Sequence, residues 1–265
     1  MGTLNHLSFG WLTPAVSYLM ACVGAALGLR CTLRALSATG PSRRNWLLTA
    51  AAAIGSGIWT MHFIAMFGFS VDGTELRYDV PLTVLSLVVA VVVVGIGVFT
   101  VGYGRHRGRS LLLGGLTTGV GVAAMHYLGM AALRLHGNVE YTPATVLLSV
   151  AVAVGAATAA LWAAVTIRNA VAAGGAALVM GVAVSCMHYT GMAAVHVHMD
   201  PSRTELGGAT PMQFVFPLAV GLGSFLFLTS AFVALSPTAQ ERAAYREAGE
   251  LAIEDLNPTE LDRAA

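Results

Sequence analysis

Lysine does not occur in this chain: all 14 basic residues are arginine. A retinal Schiff base needs a lysine amine, so that class of membrane pigment is excluded. Charge of either sign is scarce, at 10% of 265 residues, where a soluble domain carries about 25%. No Asp, Glu or Arg lies deep within a long apolar run, and the thirteen acids fall in outer loops or in the tail. A proton relay built on intramembrane carboxylates is therefore not available. Cysteine is limited to Cys22, Cys31 and Cys186, with no CxxC or CxxCH spacing. That argues against a disulfide framework and a covalent c-type haem, and each cysteine reads as small apolar filler. No basic segment precedes the first apolar stretch, so that stretch reads as a retained span rather than a cleaved signal peptide. The net charge of +1 offers no footing for a nucleic-acid partner.

What the chain has is apolar surface. Hydrophobic residues make up 56% of it and the mean hydropathy is +0.73. A helix needs about 20 such residues to cross the hydrocarbon core. Seven runs qualify, over residues 12–29, 45–69, 80–101, 110–133, 142–167, 170–195 and 212–235. The expected fold class is all-α: a polytopic membrane protein with membrane lipid as its solvent. Residues 1–11 form an extracytoplasmic N-terminus, 12–235 the membrane domain and 236–265 a charged cytosolic tail. Within that tail, 240–256 reads as an exposed, partly amphipathic helix. Eleven arginines lie in the tail and in the loops after spans one, three and five, and three lie in the other loops. The positive-inside rule therefore expects the N-terminus outside and the C-terminus in the cytosol.

Three copies of one pattern, Met-His-x-x-x-Met, lie in spans two, four and six. They are Met61-His62-Phe63-Ile64-Ala65-Met66, Met125-His126-Tyr127-Leu128-Gly129-Met130 and Met187-His188-Tyr189-Thr190-Gly191-Met192. Residues i and i+4 share a helix face, so each His has the following Met beside it. The repeat extends further. Gly55, Gly119 and Gly181 each stand six residues before the first Met, and the following spans begin Tyr78…Pro81 and Tyr141…Pro143. The unit is a helix pair of about 63 residues used three times in one orientation, an arrangement known among membrane proteins. Counting pairs from span two leaves span one as the extra helix. Small residues such as Gly114-Gly115 and Gly174-Gly175 are expected at close helix contacts.

Histidines are the ionisable groups inside the spans, and such groups are functional suspects by default. Imidazole suits Cu, Zn and Fe, and thioether sulfur selects Cu(I). Copper is therefore the favoured cofactor, with haem iron second. The expected metal ligands are His62, His126 and His188 with Met66, Met130 and Met192, followed by Met61, Met125 and Met187. Cys186 is expected to serve packing, and His136, His196 and His198 to be loop residues. Three other readings remain open: a copper or small-solute transporter, a haem or copper redox protein, and a scaffold with packing histidines. Transport predicts donors continuing toward the cytosolic half, where only Met180 occurs in these three spans.

The motif and the seven-span layout resemble the MHYT domain, a bacterial integral-membrane sensory domain. Met187-His188-Tyr189-Thr190 carries its letters literally. The other two copies keep Met, His and the second Met while departing in the last letter (Met125 copy) or the last two (Met61 copy). The resemblance covers residues 10–235. It implies a non-enzymatic sensor of a diatomic gas (oxygen, carbon monoxide or nitric oxide) through a metal near the outer membrane face. Members often carry cytosolic cyclase, phosphodiesterase or kinase domains. Residues 236–265 are too short for one, so a separate cytosolic signalling protein is the expected partner.

Overall fold

The structure is a computed structural model, and it describes residues 4–5, 10–167, 170–200, 206–236 and 247–249. Most of the expected tail helix over 240–256 lies outside the described residues. Seven helices account for the membrane domain: α1 (Leu12–Leu36), α2 (Gly40–Phe67), α3 (Val80–Tyr103), α4 (Arg107–Ala131), α5 (Pro143–Thr166), α6 (Ala170–Ala193) and α7 (Phe216–Leu235). All seven are long and apolar enough to cross a membrane, and the chain is a multi-pass membrane protein. Proline in the first turn starts α2, α3, α5 and α7, where its missing N–H costs no helical bond. Asp79 caps α3 by accepting the Leu82 N–H at 3.1 Å. Thr210 and Gln213 form a capping box that opens a π-helical turn, Pro211–Val215, leading into α7.

α1 and α2 run further than the apolar runs alone suggest, through Arg30, Arg34, Arg43 and Arg44. Arginine stems lie along apolar surface while their heads find polar partners. Here several of those partners are the carbonyls that end neighbouring helices. Arg34 donates to Val233 O and Ser236 O of α7, both at 2.7 Å. Arg43 donates to Gly102 O of α3, and Arg107 to Val165 O of α5 at 2.9 Å. A cation at a helix C-terminus satisfies unpaired carbonyls and complements the dipole.

Helices α1 to α6 pack as a closed ring, each on the next and α6 back on α1, while α7 lies outside against α1 and α2. α2, α4 and α6 also touch one another, as do α1, α3 and α5. The spare helix of the ring is thus α7, where the sequence repeat suggested span one. The glycines explain the closure. A Cβ added at Gly55 would meet the Val91 backbone of α3, one at Gly119 the Val154 backbone of α5, and one at Gly181 Tyr18 and Cys22 of α1. α1 therefore stands to α6 as α3 stands to α2 and α5 to α4. Three buried serines mark the same equivalence. Ser17, Ser86 and Ser149 each donate to the carbonyl three residues back, at 2.9, 2.7 and 2.8 Å.

At one end of the ring the loops pair as short antiparallel ribbons. β1 (Leu4–Asn5) joins β2 (Ser70–Val71), β3 (Arg77–Tyr78) joins β4 (Leu133–Arg134), and β5 (Gly137–Tyr141) joins β6 (Val195–Met199). Tyr78 also bridges to Ala209. Arg134 pairs with Asp79 at 2.8 Å, tying the loop after α2 to the loop after α4.

Candidate metal centre

Each motif histidine lies five residues before the end of its helix, in α2, α4 and α6. Equal depth on three mutually touching helices brings the rings together. The ring centroids of His62, His126 and His188 lie 4.9, 5.0 and 5.2 Å apart, and all three residues are at most 1% exposed. His62 Nδ1 stands 3.0 Å from His188 Nδ1 and 3.2 Å from His126 Nδ1. Among the described residues these are the one group of three or more His, Cys, Asp or Glu side chains placed to hold a metal ion.

Small residues set that convergence. A Cβ added at Gly129 would stand 2.6 Å from His62 Nε2, and one at Gly191 would press still closer on His126 Nε2. His62 thus seats on α4 and His126 on α6. These glycines follow the motif histidines of their own repeats by three, where the first repeat has Ala65. Sequence reasoning missed this role, although the shared small residue at one motif position was a legible signal. Aromatic residues close the sides. Phe63, Tyr127 and Tyr189 stand edge-on to their neighbouring histidines at 4.7, 4.9 and 4.9 Å. Tyr78 and Tyr141 back Phe63 and Tyr127. Trp59 donates its indole N–H to Ser86 at 2.9 Å, and Tyr127 shares a hydrogen bond with Ser149 at 2.7 Å.

The donor set fits a single ion. Imidazole nitrogens about 2.0 Å from one metal stand about 3.3 Å apart at tetrahedral angles, close to the spacing here. Nε2 of His62 and of His126 has no hydrogen-bond partner, so these two rings meet polar groups only through Nδ1. A neutral imidazole offers one N–H and one lone pair. One shared proton serves one Nδ1 pair well, whereas a central cation serves all three nitrogens. A porphyrin fits poorly, because nitrogens 3.0–3.2 Å apart leave no slot for the macrocycle between axial ligands.

The six methionines of the motifs are all at most 2% exposed. Met66, Met130 and Met192 form the layer one turn beyond the histidines, and helical side chains lean back toward the preceding turn, here the imidazole layer. The outlying histidines do not join the site. His136 bonds Thr74, His196 bonds Thr142, and His198 pairs with Glu140 at 3.4 Å. Cys186, expected to pack, is exposed on α6, because its position points away from the ring axis.

The family described as "MHYT: Bacterial signalling protein N terminal repeat" matches three times, at residues 55–115, 119–178 and 181–241. The chain is 41% identical over 192 residues to the bifunctional diguanylate cyclase/cyclic di-GMP phosphodiesterase MucR of Pseudomonas aeruginosa, covering 71% of this chain and 28% of the relative. It is 37% identical over 209 residues to the cyclic di-GMP phosphodiesterase NbdA of the same organism, covering 77% and 26%. To the signaling protein YkoW of Bacillus subtilis it is 28% identical over 206 residues, covering 74% and 25%. The chain thus spans about a quarter of the length of these relatives. No solved structure matches. Three repeats that each deliver one buried histidine to a shared cluster, matched along most of the chain, place this protein in the MHYT family of bacterial membrane signalling proteins.

Proposed function

We propose that the chain is a metal-dependent membrane sensory module whose metal, copper by preference, is held by His62, His126 and His188. The observation that carries this reading is the approach of three buried imidazoles through their Nδ1 atoms, at 3.0 and 3.2 Å for two pairs. Lone pairs facing one another in an apolar interior are costly unless a cation or proton stands between them. Met66, Met130 and Met192 supply soft donors on one side, which suits Cu(I). Such a centre, once loaded, supplies a coordination position for a small ligand such as oxygen, carbon monoxide or nitric oxide. The protein's part is to hold three neutral imidazoles at fixed depth, to exclude water from them, and to couple their packing to the helix ring.

The reading is non-catalytic for this chain. The two Pseudomonas relatives are named for cyclic di-GMP enzymes, yet this chain matches about a quarter of each. Output therefore passes through a cytosolic signalling domain or partner at the arginine-rich end, with the N-terminus outside and the C-terminus in the cytosol. Transport is disfavoured because the helix faces beneath the histidines offer Ile54, Ile58, Thr118, Val122, Met180 and Val184, and only Met180 is a soft donor.

The test is metal content with optical and EPR spectra on detergent-purified protein, beside His126→Ala. About one copper per chain in the wild type, and at least a tenfold lower content in the variant, is the expected result. Protein that stays metal-free after reconstitution with Cu(I) overturns the reading, and a Soret band replaces it with haem.

A further inference from the structure

An apolar cavity of about 60 Å³ lies on the ring axis, directly beneath the histidine cluster. Its lining follows the repeat. Ile58, Val122 and Val184 stand four residues before His62, His126 and His188, and Ile54, Thr118 and Met180 stand eight before. At 1.5 Å per residue these are layers about 6 and 12 Å below the imidazoles on the same helix faces. Leu29 of α1, Val98 of α3 and Leu161 of α5, all buried, line it nearer the arginine-rich end. The hydroxyls of its two threonines are directed to backbone carbonyls, Thr32 to Gly28 O and Thr118 to Val93 O. On the opposite side of the imidazoles Met66, Met130 and Met192 are sealed from solvent.

From this geometry we infer that the cavity is a binding chamber for small apolar solutes, drawn from the lipid phase and held about one helical turn below the histidine triad. An apolar cavity of this kind stays dry and takes xenon or a small hydrocarbon, because water there would lack its two to four polar partners. The methionine layer bars the direct line from the ribbon end, and among the described residues the lining toward the other end is apolar apart from Thr32 and Thr118, so an occupant enters between helices from the membrane. The natural ligand class of the site is then a non-polar molecule of very few heavy atoms, and a hydrated ion or a polar metabolite is excluded. This assignment rests on the sensory reading above for its biological meaning, whereas occupancy of the chamber needs no metal.

The test uses metal-free full chain in lipid nanodiscs, with 13C at methionine methyls and at histidine Cε1, under xenon pressure. Met180 and Met187, which line the cavity, are expected to shift saturably, with His62 and His188 shifting at the same half-saturation pressure. Met212, which is 63% exposed, is expected to shift linearly. Ala157→Phe fills the chamber and is expected to weaken half-saturation at least tenfold. Ala153→Leu serves as the milder second filling should the first fail to fold. Linear shifts at Met180 and Met187 matching Met212, or saturation unchanged in a folded filled variant, overturn the proposal. The xenon titration uses metal-free protein and copper loading of the wild type is scored separately, so failure of the metal reading and failure of the chamber are separate outcomes.

Discussion

A histidine ring is positioned by what it leans on, and here two rings lean on glycine. Gly129→Ala puts a methyl 2.6 Å from His62 Nε2. Alanine is the better helix former by about 1 kcal/mol, but overpacking a filled core costs about 1–3 kcal/mol. The expected outcome is a small net loss of stability with at least a tenfold loss of copper affinity, read by competition with a Cu(I) chelator. Gly191→Ala is expected to act likewise through His126. A second residue-scale prediction concerns Asp79. Hydrogen bonding to Arg134 and to the Leu82 N–H holds its carboxyl below the ordinary value of 3.8. A depressed folded value stabilises the protein above the unfolded value, and that contribution disappears as pH falls through the folded value. Asp79→Asn is therefore expected to lower the melting temperature at pH 7 and to have little effect once the pH lies below the depressed value, measured by thermal melts across that range.

The pairs α2–α3 and α4–α5 approach through glycine on one member. Gly55 admits the Val91 backbone of α3, where an added Cβ would stand 2.7 Å from Val91 Cα. Small residues let backbones pack closely where lipid supplies no hydrophobic drive between helices. Gly55→Leu is expected to separate α2 from α3 and lower stability by about 1–3 kcal/mol, seen as earlier aggregation on heating in detergent. The serines on α3 and α5 act at the same scale. Ser86→Ala removes the acceptor of the buried Trp59 indole, and an orphaned buried donor costs about 1–3 kcal/mol. Arg34 in the last turn of α1 and Arg43 near the start of α2 explain why these two helices run past their apolar stretches. Each guanidinium that satisfies a neighbour's final carbonyls makes extra helical turns stable at the membrane edge.

The whole molecule is a threefold arrangement that the chain closes by using its first helix beside its sixth. Gly181→Cys tests that closure directly. A Cβ at residue 181 would stand 2.5 Å from Cys22 Sγ, within reach of a disulfide after a small shift. Mild oxidation is expected to give a cross-link between α1 and α6, detected by mass loss and by fragment retention after cleavage in the α1–α2 loop. A peripheral α1 would leave both thiols free. The cavity on the same axis belongs to this scale as well, because all six ring helices contribute to its wall.

Much of this was legible from the chain alone. The scarcity of charge and the seven apolar runs determined a polytopic helical protein, because hydrocarbon admits little else. The threefold Met-His-x-x-x-Met spacing marked the histidines, since buried imidazoles at one depth on three parallel helices share a level. What the sequence could not decide was contact. The spacing of the repeats is the same whether α2, α4 and α6 meet or stand apart, and whether α1 or α7 lies outside the ring. Those choices depend on close approach at Gly55 and Gly119 to the backbone of the next helix and at Gly181 to Tyr18 and Cys22 of α1, distant in the chain. The cavity was equally hidden, because empty space is a property of the assembled helices. Ile58, Val122 and Val184 read as ordinary apolar residues until three helices set them around one axis.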